Sequence, residues 1–173
     1  MTVDSYWTKV NDATLRQGDF LPACHVPILY PDFNPDSTRE VEVNEYDLIV
    51  VTQSCDLENQ KARLVALCPI YKIAEFQHAN KEFQKKGAWE RVRQGRIEGL
   101  HLLASTTDPS DNQDARVVVF REIYSLPVEY LTNHAEALGD RSRLQSPFLE
   151  HFSQAFARFF MRVGLPSQIP KYA

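Results

Sequence analysis

The sequence predicts an α+β protein built as a small, strongly bent β-barrel decorated by helices, and three observations carry that expectation. Residues 48–52 (LIVVT) and 64–73 (LVALCPIYKI) are apolar or β-branched almost throughout, as strands buried in a sheet are. The strand candidates do not alternate with regular crossover helices, which argues against a doubly wound sheet. A stripe of phenylalanines near the C-terminus gives one helix that must dock on something.

Taken in order, residues 1–10 read as a short helix ending near Val10, residues 15–18 as a turn, and 19–29 as a strand. Pro22 and Pro27 make that strand bent or edge-located, because proline cannot donate to a central ladder. Residues 30–38 form a loop by turn chemistry, with Pro31, Asn34, Pro35, Asp36 and Ser37. A short edge strand follows at 38–44, then the two strong strands, joined by the polar QSCDLENQKA. Residues 74–96 read as a helical insertion, with Phe76, Phe83, Trp89 and Val92 on one side and Gly87 as a weak point. Strands are expected at 100–104 and 116–123, separated by an exposed, mobile loop at 105–114. Residues 147–163 complete the chain as an amphipathic helix capped by Ser146, opened by Pro147 and ended by Gly164 and Pro166. Fully burying each of its phenylalanines contributes roughly 1.5–3 kcal/mol, enough to make it an anchor of the core or of a dimer interface. No linker divides these pieces, so residues 1–173 read as a single domain.

Composition fits that reading. The 173 residues carry 19 Lys plus Arg against 23 Asp plus Glu, a net charge of −4, and 43% hydrophobic residues. A domain of this size needs neither disulfide nor structural metal. Its three cysteines form no CxxC pattern, which argues for a reducing, cytoplasmic setting. No export signal, membrane span or cofactor motif is read. The charge is blocked along the chain: residues 1–60 sum to −8, 61–100 to +5, 101–138 to −4 and 139–173 to +3. Basic blocks can gather phosphate or an acidic partner, or simply solvate a helix face.

The loop Thr52-Gln53-Ser54-Cys55-Asp56 concentrates polar and reactive residues at the end of a buried strand. Cys55 could be a nucleophile oriented by His25 or Asp56, with Gln53, Ser54 and the loop N–H groups holding an oxyanion or phosphate. The same residues could instead close a local turn around a small buried cysteine. Cys24, His25, Cys55 and Cys68 supply a zinc-type donor set only if the strands bring them together; neighbours on one strand point to opposite faces, so one of Cys24 and His25 would be excluded, and no metal is assigned. Lys85, Arg91 and Arg93, with Lys81, Lys86 and Arg96, make the first helical segment basic. Arg141, Arg143, Arg158 and Arg162 are expected on the polar side of the last helix and its lead-in. Phe83 and Trp89 could stack on bases if exposed, or belong to the core. Asp19 reads as a turn former.

Three segments in order, Gly18-Asp19-Phe20-Leu21, residues 48–52 and Cys68-Pro69-Ile70-Tyr71, resemble the opening strand, the apolar strand and the VPIT-type strand end of the MazF/PemK-like toxins. The resemblance covers about residues 17–73 and implies an SH3-like barrel. It also implies where catalysis would lie, since family ribonucleases carry an arginine before the apolar strand and a threonine or serine ending the VPIT strand. Here those positions hold Tyr46 and Tyr71. A phenol cannot supply the charged, bidentate fork of arginine. The chain is therefore expected to be a non-catalytic interaction or regulatory protein in a bacterial toxin-antitoxin or defence-type system, binding a protein or RNA partner. A homodimer stays open at this point. The alternatives are an endoribonuclease with a relocated site using His25, Asp56, Arg63 or Arg39, and a thiol-dependent enzyme or sensor centred on Cys55.

Overall fold

The structure, a computed structural model, describes residues 6–34, 36, 38, 40–108 and 114–161. In chain order its elements are β1 (Trp7–Val10), β2 (Phe20–Ile28), β3 (Glu42–Val50), α1 (Ser54–Glu58), β4 (Leu64–Lys72), α2 (Ile73–Ala79), a 3-10 turn at Lys81–Gln84, α3 (Ala88–Arg93), β5 (Leu100–Leu103), β6 (Arg116–Val119), β7 (Tyr124–Pro127), α4 (Val128–Leu138), β8 (Arg141–Leu144) and α5 (Phe148–Phe160). The α+β class holds. The sheet is not closed: six antiparallel strands run β2-β3-β4-β6-β5, with β7 beside β4, and the edge strands β2 and β5 do not pair with each other.

The run LIVV is apolar throughout because β3 is buried on both faces. Successive side chains of a strand point to opposite sides. Ile49 joins a core with Cys68, Ile70, Val118, Phe120 and Phe152. Leu48 and Val50 join the opposite core with Leu21, Val65, Leu67, Leu126 and, from α4, Leu131 and Ala135. β3 also takes in residues 42–44 of the edge strand expected at 38–44, so the two expected strands are one. β2, with Pro22 and Pro27, is an edge strand as its prolines require. Its register shifts between Leu21 and Cys24, where Ala23 adopts φ 54° and donates its N–H to Asp47 Oδ1 at 3.1 Å.

Several local expectations are corrected. Residues 7–10 form β1, not the end of a helix, because β8 supplies their hydrogen-bond partners, with Trp7 opposite Leu144. The helical insertion is broken into α2, the 3-10 turn and α3, with Gly87 at φ 83° before α3. Phe83 is buried, and its ring lies 5.2 Å from those of Phe76 and Trp89, so this aromatic set is a small core and not a stacking platform. Residues 53–62 hold the short helix α1 within the expected hairpin connection. Ser105 is buried, its hydroxyl hydrogen-bonded to Asp114 at 2.9 Å; the rest of the expected loop, 109–113, lies outside the described residues.

Helix α5 is the anchor its phenylalanines predict. Phe152 is fully buried, and Phe156 and Phe159 reach Phe120 with centroids 5.4 and 6.2 Å apart. Its N-cap is Pro147, joined to Ser146 by a cis peptide bond, and no side chain caps it; the Ser146 cap is thus replaced. Val163, Gly164, Pro166 and Arg162 lie outside the described residues, as does Arg39. Among the described residues no helix is long and apolar enough to cross a membrane.

Candidate functional site

The 52–56 loop spends its hydroxyls on the fold. Thr52 Oγ1 accepts the Ala66 N–H at 2.7 Å, and Ser54 Oγ accepts the Gln17 N–H at 3.1 Å. Gln17 Nε2 in turn donates to the Val51 carbonyl at 3.0 Å. Cys55 is exposed on the first turn of α1, its Sγ 3.6 Å from Gln53 Oε1 and 4.0 Å from Asp56 Oδ1. His25 is not near it. The loop packs at the end of β2 where Phe20 faces Ile49, whereas His25 faces Glu45 five residues along, roughly 17 Å away at the rise of a strand. His25 instead donates its backbone N–H to the Tyr130 hydroxyl. Arg63 is exposed at the foot of β4, its carbonyl accepting the Val128 N–H. The Cys55–His25 pairing and the relocated set of His25, Asp56 and Arg63 are therefore not assembled.

The cysteines occupy three separate environments. Cys24 and Cys68 belong to opposite cores, where burial first, then Asp47 and Glu122 respectively, pushes each thiol up to about 12. Among the described residues no group of three metal-ligating side chains gathers.

Arg141 and Arg143 are not on a helix at all. They lie on β8 and converge on Asp19, which is completely buried. Arg141 Nε donates to Asp19 Oδ2 at 3.1 Å, Arg143 Nη2 to the same oxygen at 2.9 Å, and Arg143 Nε to Oδ1. Both guanidinium groups also donate to the Thr14 carbonyl, at 2.8 and 2.7 Å. Asp19 is thus more than a turn former: it pairs with two arginines from far along the chain, and Asp12, 3.5 and 3.9 Å from them, supplies the second negative charge. Gly18 makes the approach work, since its φ is +83° and a Cβ there would sit 2.9 Å from Leu149 Cδ1 and 3.0 Å from Leu144 Cβ.

The basic residues left free of that lock meet elsewhere. A groove of about 330 Å³ opens between the α3–β5 segment and α5, lined by Arg93, Gln94 and Glu98 on one wall and His151, Gln154 and Arg158 on the other. The spacing of 151, 154 and 158 puts the second wall on one face of α5, flanking its phenylalanine stripe. His101 and Phe120 form the floor, their rings stacked at 6.0 Å and 20°. Burial, with a smaller contribution from His151, holds the His101 imidazole down at about 4, so it is neutral at pH 7. Arg93 makes an exposed two-point contact with Glu90, at 2.6 and 2.7 Å, of the kind water and salt loosen. Lys85 and Arg91 are exposed on the same segment but do not line the groove. Gly99, at φ +83°, lets the chain turn into β5 under Arg121 and Phe159, whose atoms would stand 3.0 and 3.2 Å from a Cβ.

Sequence reading missed His101 and His151. Each had a signal: His101 is the one polar residue in the strand LHLL, and His151 lies three and seven residues before Gln154 and Arg158. Tyr46 and Tyr71, the positions singled out by resemblance, lie on one face of the sheet, where the Tyr71 hydroxyl donates to Glu122 Oε2 at 3.0 Å. Neither a model of a known protein family nor a curated protein matches the chain.

Proposed function

We propose that the protein is a non-catalytic RNA-binding module that takes the sugar-phosphate backbone into the groove between α3–β5 and α5. One observation carries the reading: Arg93 and Arg158, from segments far apart in sequence, stand on opposite walls of one groove. Arginine is suited to phosphate because its fork donates two hydrogen bonds to one anion. The half-exposed ring of Phe160, at the end of the same helix, is available for base stacking. The MazF/PemK-like, SH3-like reading of residues 17–73 and a toxin-antitoxin or defence setting belong to the same proposal. The fold part of that reading is supported by the succession of β2, β3 and β4 as neighbouring antiparallel strands, and the setting follows only from the resemblance. Absence of catalysis is supported by the phenols of Tyr46 and Tyr71, which cannot replace a permanently charged arginine.

Fluorescence anisotropy with a single-stranded RNA tests this. Binding should weaken roughly sevenfold between 50 and 200 mM salt, as counterion release by two arginine contacts to a single strand requires. Arg158→Gln should lower affinity and flatten the salt slope by about one contact. Absence of binding at low salt, or binding indifferent to Arg158→Gln, would refute the groove as the contact surface. A second reading, a metal-independent ribonuclease, is favoured by His101 and His151 lining the same groove as Arg93 and Arg158. Incubating the RNA with protein in chelator separates the two, because cleavage lost in His151→Ala would assign chemistry to the groove.

A further inference from the structure

The second polar concentration lies on the sheet, away from the groove. β3 and β4 pair with Leu48 opposite Pro69 and Val50 opposite Leu67; the pairing ends there, with Tyr46 two residues beyond Leu48 and Tyr71 two beyond Pro69, close enough for the two phenols to act on each other. On the other side of β4, Tyr124 pairs with Leu67. Leu67 and Tyr71 share a face by strand alternation, so three tyrosines border one side of the sheet at the edge of the core that holds Leu48, Val50 and Leu67. All three are half-buried. The rings of Tyr46 and Tyr124 lie 5.0 Å apart at 31°. Glu122, exposed in the turn before β7, accepts the Tyr71 hydroxyl at 3.0 Å. That is its only side-chain hydrogen bond among the described residues, and no Lys or Arg among them pairs with it.

The chemistry of this set favours a cation. Phenols present electron-rich faces and oxygen acceptors, and Glu122 adds a full negative charge. Burial first, and then Glu122, raises the Tyr71 phenol, and burial with Tyr46 and Glu122 raises Tyr124, so these rings remain neutral at physiological pH. Lys72, the nearest cation in sequence to Tyr71, points to the other face and lies 4.0 Å from Asp114.

We propose that Tyr46, Tyr71, Tyr124 and Glu122 form a receptor for the guanidinium group of an arginine on a partner protein. The carboxylate sets the charge, and the phenol oxygens and ring faces orient the planar cation. This site is independent of the groove: failure of RNA binding leaves it untouched, and its own failure leaves the groove untouched.

The test is an NMR titration of the full chain, following the tyrosine ring resonances. The probes are N-acetyl-arginine amide and its neutral isostere N-acetyl-citrulline amide. Arginine amide should shift the rings of Tyr46, Tyr71 and Tyr124 saturably at millimolar concentration, while citrulline amide leaves them in place. Glu122→Gln should weaken arginine binding about tenfold, whereas Tyr124→Phe, which keeps the ring face, should weaken it less. Equal shifts with both probes, arginine binding unchanged in Glu122→Gln, or no saturable shift would each overturn the proposal. Glu122 is exposed, so the variant's unfolding midpoint should match the parent chain and confirm that lost binding is not lost fold.

Discussion

Two arginine-bearing regions of this protein use the same side chain in opposite ways. On β8, Arg141 and Arg143 are consumed by Asp19, Asp12 and the Thr14 carbonyl, and nothing of Arg141's side chain reaches solvent. Along the groove, Arg93 and Arg158 stand at the surface beside glutamines and histidines. Charge counted along a sequence therefore says how much is present and not how much is available. A buried carboxylate turns arginine into a structural strut, whereas an open wall leaves it free to meet a ligand.

The largest expected effect lies on the buried side of that contrast. Asp19→Ala leaves two guanidinium groups without their shared anion and should destabilise the fold by about 3–5 kcal/mol, read as the shift of a urea unfolding curve. A loss below about 1 kcal/mol would mean that the two regions do not differ as described.

Next comes the pH response of the groove floor. The folded His101 titrates near 4 and an unfolded histidine near 6.5, so the unfolded chain binds more protons between those values. Stability is complete above pH 6.5 and falls as pH drops toward 4, by on the order of 2–3 kcal/mol from this residue. His101→Phe, which keeps a ring against Phe120 and Phe152, should flatten the unfolding free energy across that window. A variant as acid-sensitive as the parent chain would remove His101 from the account.

Smaller effects sharpen the comparison from the open side. Arg158→Gln should change stability by no more than about 0.5 kcal/mol, in contrast to Asp19→Ala. Iodoacetamide should label Cys55 in the native protein and reach Cys24 and Cys68 only on unfolding, because only Cys55 is exposed. Mass spectrometry counts the alkyl groups, and native labelling of more than one thiol would contradict the burial of the other two.

Much of the sheet was legible because its signals are local. LIVVT and LVALCPIYK read as strands from side chains alone, and Pro22 and Pro27 mark β2 as an edge. Elements held by distant partners were not legible. β1 is a strand because β8 pairs with it, and β8 itself reads RSRL, half arginine, because those arginines answer a buried aspartate more than 120 residues away. α4 opens at Pro127 without a side-chain cap, which removes the usual start signal. The candidate site shows the same division. The basic walls were visible as charge blocks, but their meeting was not, and the hydroxyls of the chemically suggestive 52–56 loop are taken up by backbone N–H groups of β4 and of the turn at Gly18.

The contacts of Asp19 also set an order of assembly. They close loops of 122 and 124 residues onto an aspartate near the start of the chain. Long-range closures of this kind come late in folding, because chain entropy must be spent before the contacts return it. During synthesis from the N-terminus, β2 and β3 emerge long before their cations exist. The nascent sheet must keep Asp19 hydrated until β8 leaves the ribosome, so the last-made of the described strands is the one that permits the Gly18–Asp19 turn to be buried.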